Sequence, residues 1–434
     1  MALPVLDQWL VRRMGRADKL PPSKDALREW QLARLRTLIA HAQANSSFYA
    51  RSLSGVDPAS IRSPEDFSRL PTVSPDDLRE QPERFLCVSQ DDIARVVTLQ
   101  SSGTTGQPKR VFHTRDDLEA TADYFDWGMR NLVGPGQTAL VLMPGERPGG
   151  VGRLLVDALS RSGARAVAHG VLEDAGAGVD HLLAEEASCI VGPPAHVHLL
   201  AREWERRRLP AGTVCSVLLC WDSVPDALAD NVERIFGCRV FRHWGMIETG
   251  LGGAVECAPG SGLHLREADV FLEIVDPETG SLVPDGEFGE MVVTSVLKLG
   301  MPLIRYRTGD RGCILPGPCR CGSPLRRLDP HVRRLAAGVA VGTGLLRLEE
   351  LNEALYAVEG LSDFSARLSG RTLHVLVCGG NGVGERAKRA LASLPVIALG
   401  VTENVLQIDI EMKNDAAPAL PGLGKRRIVI DREL

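Results

Sequence analysis

Between residues 26 and 43, Leu27, Trp30, Leu35, Leu38, Ile39 and Ala42 recur at helical spacing with Arg and Glu between them. That pattern predicts an amphipathic helix laid against a core. Ser63-Pro-Glu-Asp66 and Ser74-Pro-Asp-Asp77 each offer a hydroxyl cap, a proline where the missing N–H costs nothing, and acids against the helix dipole. Two further short helices are expected there. From residue 96 the pattern changes to short apolar runs, at 96–99, 139–143, 164–168 and 216–220, alternating with helical stretches such as 152–161. This alternation predicts a largely parallel sheet with crossover helices. Runs 270–275 and 290–295 are instead separated by Asp276-Pro-Glu-Thr-Gly280 and Pro284-Asp-Gly286, turn chemistry that joins antiparallel strands of a small β subdomain.

Residues 316–324, Pro-Gly-Pro-Cys-Arg-Cys-Gly-Ser-Pro, can continue neither strand nor helix, which puts an architectural boundary near Leu328. Beyond it the pattern reads helix 348–356, strand 372–378, helix 384–394, strand 405–410 and strand 427–430. The expected fold is therefore α/β. A large N-terminal domain, 1–328, carries mostly parallel sheets and the β subdomain, and a small α+β C-terminal domain covers 329–434.

Composition narrows the function classes. With 434 residues the chain exceeds the roughly 150 of one typical domain, and its net charge of -5 gives no positive field for a phosphate backbone. Nucleic acid is not expected as a partner. No apolar run approaches the ~20 residues of a membrane span, and the first residues lack the order of a signal peptide, so a cytoplasmic protein is expected. The ten cysteines are scattered except for Cys319-Arg-Cys321. Without an export signal that usage points to reduced thiols and a metal rather than disulfides.

The segment richest in chemistry is Leu99-Gln-Ser-Ser-Gly-Thr-Thr-Gly-Gln-Pro-Lys109, directly after a predicted strand. Backbone N–H groups and hydroxyls there can wrap an oligophosphate while Lys109 supplies charge. It is not a Walker A loop, because Arg110 stands where Ser/Thr would hold Mg2+. Taken alone, the stretch reads equally well as a surface turn.

The whole string Ser-Ser-Gly-Thr-Thr-Gly-x-Pro-Lys resembles the signature loop of the adenylate-forming superfamily of acyl-CoA synthetases, luciferases and peptide-synthetase adenylation domains. Trp244-Gly-Met-Ile-Glu248, Tyr306-Arg-Thr-Gly-Asp310 and Gly424-Lys425 follow in that superfamily's order. Within it, Met301-Pro-Leu-Ile-Arg-Tyr-Arg-Thr-Gly-Asp310, Leu315-Pro-Gly-Pro-Cys-Arg-Cys-Gly322 and Gly262-Leu-His264 are most similar to the phenylacetate-CoA ligase family. The resemblance implies that ATP, Mg2+ and a small-molecule carboxylic acid give an acyl-adenylate, and that coenzyme A then takes the acyl group. It assigns the phosphates to Ser101, Ser102, Gly103, Thr104, Thr105, Gly106 and Lys109, with Trp244 and Gly245 also against the nucleotide. Glu248 would hold Mg2+, Asp310 the ribose hydroxyls, and Arg334 the nucleotide. Lys425, on a C-terminal domain that is mobile in the family, would reach the reacting carboxylate and α-phosphate. No enzyme nucleophile is needed, consistent with the absence of a Ser-His-Asp or Cys-His pattern.

Cys319-x-Cys321 with Cys257-x6-His264 offers four borderline-soft ligands suited to tetrahedral Zn2+. The spacing alone is matched equally by two buried thiols. The phenylacetate ligases, some of which carry a metal here, favour a structural zinc. Three departures from the family stand out: Asp222-Ser-Val-Pro225 replaces Gly-x-Glu-Pro near the adenine, Ile247 replaces a hydroxyl residue, and Arg333-Arg-Leu-Ala-Ala337 lacks the acidic hinge. Loading of a carrier protein's phosphopantetheine, or nucleotide binding without catalysis, are the alternatives these leave open, as is a homodimer. Tyr124, Phe125, Trp127 and Trp244 are candidates for an aryl pocket or for the core.

Overall fold

In the computed structural model, the described residues are 3–99, 108–145, 147, 149–335, 338–413 and 424–431. The chain divides into two units: Met1–Asn131 with Asp157–Ser162 and His243–Leu335, and Leu132–Val156 with Gly163–Arg242 and Ala336–Leu434.

In the first unit the amphipathic pattern at 26–43 forms the helix Lys24–Asn45, capped by the Ser23 hydroxyl and burying Leu27, Leu32, Leu35, Leu38, Ile39 and Ala42. Trp30 lies at the edge of that face, beneath the Arg34 guanidinium. Ser63 and Ser74 open the helices Pro64–Ser68 and Pro75–Glu80, each with a reciprocal capping box closed by Asp66 or Asp77. The turn-separated runs become the antiparallel strands Val270–Val275 and Gly289–Ser295, extended by Tyr306–Gly312 and Arg333–Arg334 into a four-stranded sheet. Its core gathers Tyr49, Phe67, Phe85, Phe271, Met291 and Tyr306.

One expectation fails here. The run 96–99 belongs to no parallel sheet: Ile93–Leu99 pairs antiparallel with Lys109–Thr114 alone. Nine residues, 100–108, separate the paired ends Leu99 and Lys109. A connection that short allows a hairpin but not a crossover to a parallel neighbour, which takes a dozen residues or more.

In the second unit the strands Thr138–Val141, Arg165–Ala168, Cys189–Gly192, Ser216–Leu219 and the start of Arg239–Trp244 pair in parallel, as the alternating pattern predicts. Their lateral order places Thr138–Val141 between Arg165–Ala168 and Cys189–Gly192, so the chain steps outward from it to Arg165–Ala168 and then back past it to Cys189–Gly192. Ligands of open α/β sheets bind beyond the carboxyl ends of strands near such a reversal. The C-terminal residues form a second sheet, ordered Gln407–Lys413, Thr372–Gly379, Leu361–Ser369, Ile428–Asp431. One core joins Leu200, Leu228 and Val232 beside the parallel sheet to Leu351, Leu355 and Phe364 of the C-terminal part. The strand Leu361–Ser369 and the helix Pro395–Thr402 were not legible in the pattern. In the strand, Asp363 occupies an inward position, which breaks the apolar alternation.

Candidate active site

The hairpin sets the base of the candidate phosphate loop. Ser101, Ser102, Gly103, Thr104, Thr105 and Gly106 lie outside the described residues, but Lys109 opens the returning strand opposite Leu99. Strand alternation puts Lys109, Val111 and His113 on one face, and the last two are buried.

Glu248 reaches the same place from another direction. His243 and Trp244 end a strand, and the chain then turns through Gly245 into the 3-10 turn Ile247–Thr249. A Cβ on Gly245 would stand 2.7 Å from His243 Cε1 and 2.7 Å from the Leu251 carbonyl oxygen, so only glycine fits. Thr249 Oγ1 accepts from the Met246 amide at 3.2 Å and donates to the Met246 carbonyl at 2.9 Å, tightening the turn. The Glu248 carboxylate is thereby carried inside, 2% exposed, where it forms an ion pair with the Lys109 ammonium. Tyr306 joins them: its hydroxyl accepts from Lys109 Nζ at 3.1 Å and donates to Glu248 Oε1 at 3.2 Å. Tyr306 was missed as a functional residue, although it opens the Tyr-Arg-Thr-Gly-Asp block. Its position in that block was the available signal.

Three and four residues along the same strand, Gly309 adopts φ +70° and Asp310 pairs with Arg334, Oδ1 to Nε 3.1 Å. Arg334 also donates to the Thr308 carbonyl at 2.9 Å, and Thr308 Oγ1 accepts the Asp310 amide at 2.9 Å. Lys298, a second residue the sequence did not single out, is buried, and among the described residues its Nζ has no hydrogen-bond partner. Burial pushes its pKa down to about 8, partly opposed by the Asp117 and Glu248 carboxylates. Burial likewise drives the His113 imidazole far below its ordinary value and, with Glu248 adjacent, raises the Tyr306 phenol.

Trp244 is packed in the core of the first unit, as is Tyr124, whose ring meets Trp9 edge-on. The Trp127 face is covered by the Arg130 guanidinium at 3.8 Å. In the second unit, Lys425 is exposed and stands between Gly424 and the buried Arg426. Ala336, Ala337 and residues 421–423 lie outside the described residues.

Cys257, His264, Cys319 and Cys321 converge, their ligand atoms all within 4.8 Å of one another. The Cys257 and Cys319 sulfurs are 3.6 Å apart, and Cys321 Sγ is 3.3 Å from His264 Nε2. Tetrahedral Zn–S and Zn–N bonds of ~2.3 and ~2.05 Å demand edges of about 3.8 and 3.6 Å, close to these separations. Burial holds the His264 pKa down to about 4, in the neutral form that ligates a metal. Arg327 ties down the Cys-bearing loop through the Pro316 and Gly317 carbonyls, at 3.0 and 3.2 Å.

A parallel-sheet fold with a Lys–Tyr–Glu cluster around a buried carboxylate at the base of a Gly/Ser/Thr loop defines a class, and the family model described as AMP-binding enzyme matches residues 28–297. Phenylacetate-coenzyme A ligase of Pseudomonas putida is 31% identical over 319 residues, covering 70% of this chain and 70% of that protein. The Thermus thermophilus protein of the same name is 30% identical over 330 residues, covering 72% and 71%. The chain belongs to the AMP-binding enzymes, in their phenylacetate-coenzyme A ligase family, and is an AMP-forming acid–CoA ligase. The fold agrees with 2-hydroxyisobutyryl-CoA ligase in complex with 2-HIB-AMP, at TM-score 0.77 and 21% identity over 93% of this chain and 90% of that one. Among the described residues no helix is long and apolar enough to cross a membrane.

Proposed function

We propose that this ligase activates an aryl or arylacetic acid with ATP and passes the acyl group to coenzyme A in the cytoplasm, with the site residues acting as follows. The carrying observation is the cluster of Lys109 and Tyr306 on the buried Glu248 carboxylate at the base of the loop 100–108. In the first step a substrate carboxylate oxygen bonds to the α-phosphorus while the bond to the β-phosphate oxygen breaks, releasing pyrophosphate. Ser101 to Gly106 and Lys109 hold the phosphates, and Lys425 offsets charge at the reacting carboxylate and α-phosphate. Asp310 accepts the two ribose hydroxyls beside Arg334. In the second step the coenzyme A sulfur, having lost its proton, bonds to the acyl carbon, and AMP leaves.

Two metals fit the residues present. Glu248, a carboxylate beside the phosphate-binding lysine, would hold Mg2+, which supplies positive charge to the phosphates. Cys257, His264, Cys319 and Cys321 would hold a structural Zn2+, since four protein ligands would fill all its positions and leave none for water. The C-terminal domain from about residue 329 reorients between the two steps, because one site must first present Lys425 and then admit a thiol. A carrier-protein thiol is the alternative acceptor, favoured by the altered segment that begins at Arg333.

Acid-dependent exchange of labelled pyrophosphate into ATP, run across benzoic, phenylacetic and aliphatic acids, tests the reading. Exchange with an aryl acid, followed by thioester formation with coenzyme A, is expected. Exchange with aliphatic acids alone overturns the substrate class. Acylation of a carrier protein but not of coenzyme A replaces the acceptor.

A further inference from the structure

The residue after Lys425 is tied to two parts of the second unit at once. The Arg426 side chain is anchored in the C-terminal part: its guanidinium pairs with Asp363, donates to the Tyr356 hydroxyl at 3.0 Å and stacks 4.3 Å from the centre of the Phe364 ring. Its backbone N–H points elsewhere and donates to Asp222 Oδ2 at 3.1 Å. Asp222 lies just beyond the carboxyl end of the parallel strand Ser216–Leu219, and its other oxygen accepts the Ser223 amide at 2.9 Å. The preceding residue, Trp221, is held at φ +81°, a conformation rare for a bulky side chain and a mark of a constrained turn. Gly424 and Arg426 line a cleft there together with His196, Trp221, Asp222 and Ser223.

Other links join the same two parts. Glu353 caps the helix Asp226–Phe236 from outside, accepting the Asp226 and Ala227 amides at 2.7 and 3.1 Å. Asn231 donates to the Tyr356 carbonyl at 2.8 Å. Neither involves the backbone beside residue 425. The Asp222 bond differs because the Arg426 nitrogen is covalently joined to the Lys425 carbonyl carbon, and the peptide plane it fixes contains the Lys425 Cα.

We propose that Asp222 is a positioning residue for Lys425: by holding the 425–426 peptide plane at the end of the parallel sheet, it sets the lysine for adenylate formation, and its release accompanies thiol transfer. The proposal rests on the ligase reading above. It also gives a use to Asp222, which stands in the segment where this chain departs from its family's adenine motif. The Arg426 anchor stays intact in both arrangements, since its side-chain partners Asp363 and Tyr356 lie on the same part as Lys425. The Asp222 bond crosses to the other part, and of the crossing links, which include those of Glu353 and Asn231, it is the one whose opening frees the peptide beside Lys425.

The test compares full-length wild type, Asp222→Ala and Asp222→Asn in both half-reactions, with a preformed acyl-adenylate supplied for the second. Removing the acceptor is expected to lower the adenylation kcat by about 10- to 100-fold, the scale set by misplacing a catalytic group by about 1 Å. KM values for ATP and acid should move less than about threefold, and transfer from the adenylate to coenzyme A should stay within about twofold of wild type or rise. Asp222→Asn, whose amide oxygen still accepts, should recover most of the adenylation rate. Adenylation unchanged in Asp222→Ala overturns the proposal, as does an equal loss in both half-reactions or an Asn variant as slow as Ala. Wild type that forms no adenylate overturns the ligase reading and this proposal with it.

Discussion

Among the described residues the same three kinds of group occur together twice. In the first unit Lys109, Tyr306 and Glu248 meet, and in the second Arg426, Tyr356 and Asp363 meet. In each, a tyrosine hydroxyl accepts from the cation and donates to a buried carboxylate. The difference lies in the cation. Lys109 is a compact charge on a flexible stem whose side chain remains 15% exposed, so phosphate oxygens can compete for it. Arg426 offers a planar fork, 7% exposed in its side chain and packed on an aromatic face, with nowhere else to go. Two trios of similar composition thus suit opposite tasks, one to be rearranged by a ligand and one to stay fixed.

The largest effect should come from breaking the fixed trio. Asp363→Ala leaves a buried guanidinium uncompensated and should cost about 3–5 kcal/mol in denaturant unfolding. Glu248→Gln keeps an amide oxygen that can accept from Tyr306 and leaves the part-exposed Lys109 ammonium able to rehydrate, so it should cost less, about 1–2 kcal/mol. Equal losses would erase the contrast between the trios. The order reverses for catalysis: Glu248→Gln and Lys425→Ala should each lower adenylation by about 2.7–4 kcal/mol, read by pyrophosphate exchange. Lys425→Ala should still pass a preformed adenylate to coenzyme A. If that transfer collapses equally, a single fixed domain arrangement replaces the reorientation.

A smaller effect concerns the cysteine cluster. Protein purified without added metal should carry about one zinc per chain. Cys319→Ser should abolish it and lower stability by about 2.7 kcal/mol, as expected for a ligand at a hundredfold excess over its Kd. A metal-free protein of undiminished stability would leave two buried thiols in its place. The smallest effect is one of pH. Burial pushes His243 in the first unit and His198 in the second down to about 4. The unfolded imidazole, near 6.5, binds protons first, so each contribution is complete above that value and is lost as pH falls towards 4. About 1 kcal/mol per histidine should disappear between pH 6.5 and 5.5. A His243→Asn variant should flatten that limb, and an unchanged acid slope would remove His243 as its source.

Much of this was legible in advance because the signals are local. The helix Leu348–Tyr356 matches the pattern at 348–356, and the capping boxes at Ser63 and Ser74 form where hydroxyl, proline and acid fall in register. Leu361–Ser369 was hidden for the opposite reason: Asp363 faces inward only because Arg426, 63 residues away, neutralises it. Tyr306 and Lys298 were passed over similarly, since an aromatic and a lysine acquire their meaning from what they are buried against.

By itself the sequence determined the alternating strands and helices, the antiparallel β subdomain and the order of the motif blocks, all of which follow from periodicity and residue chemistry within a few positions. Only the tertiary structure decided that the strand before the candidate phosphate loop turns back as a hairpin. It also closed Lys109, Tyr306 and Glu248 on one another across gaps of 139 and 58 residues. Periodicity carries no information over such separations; the partner of a buried charge is chosen by the cost of leaving it unpaired, and that cost exists only once the chain has folded.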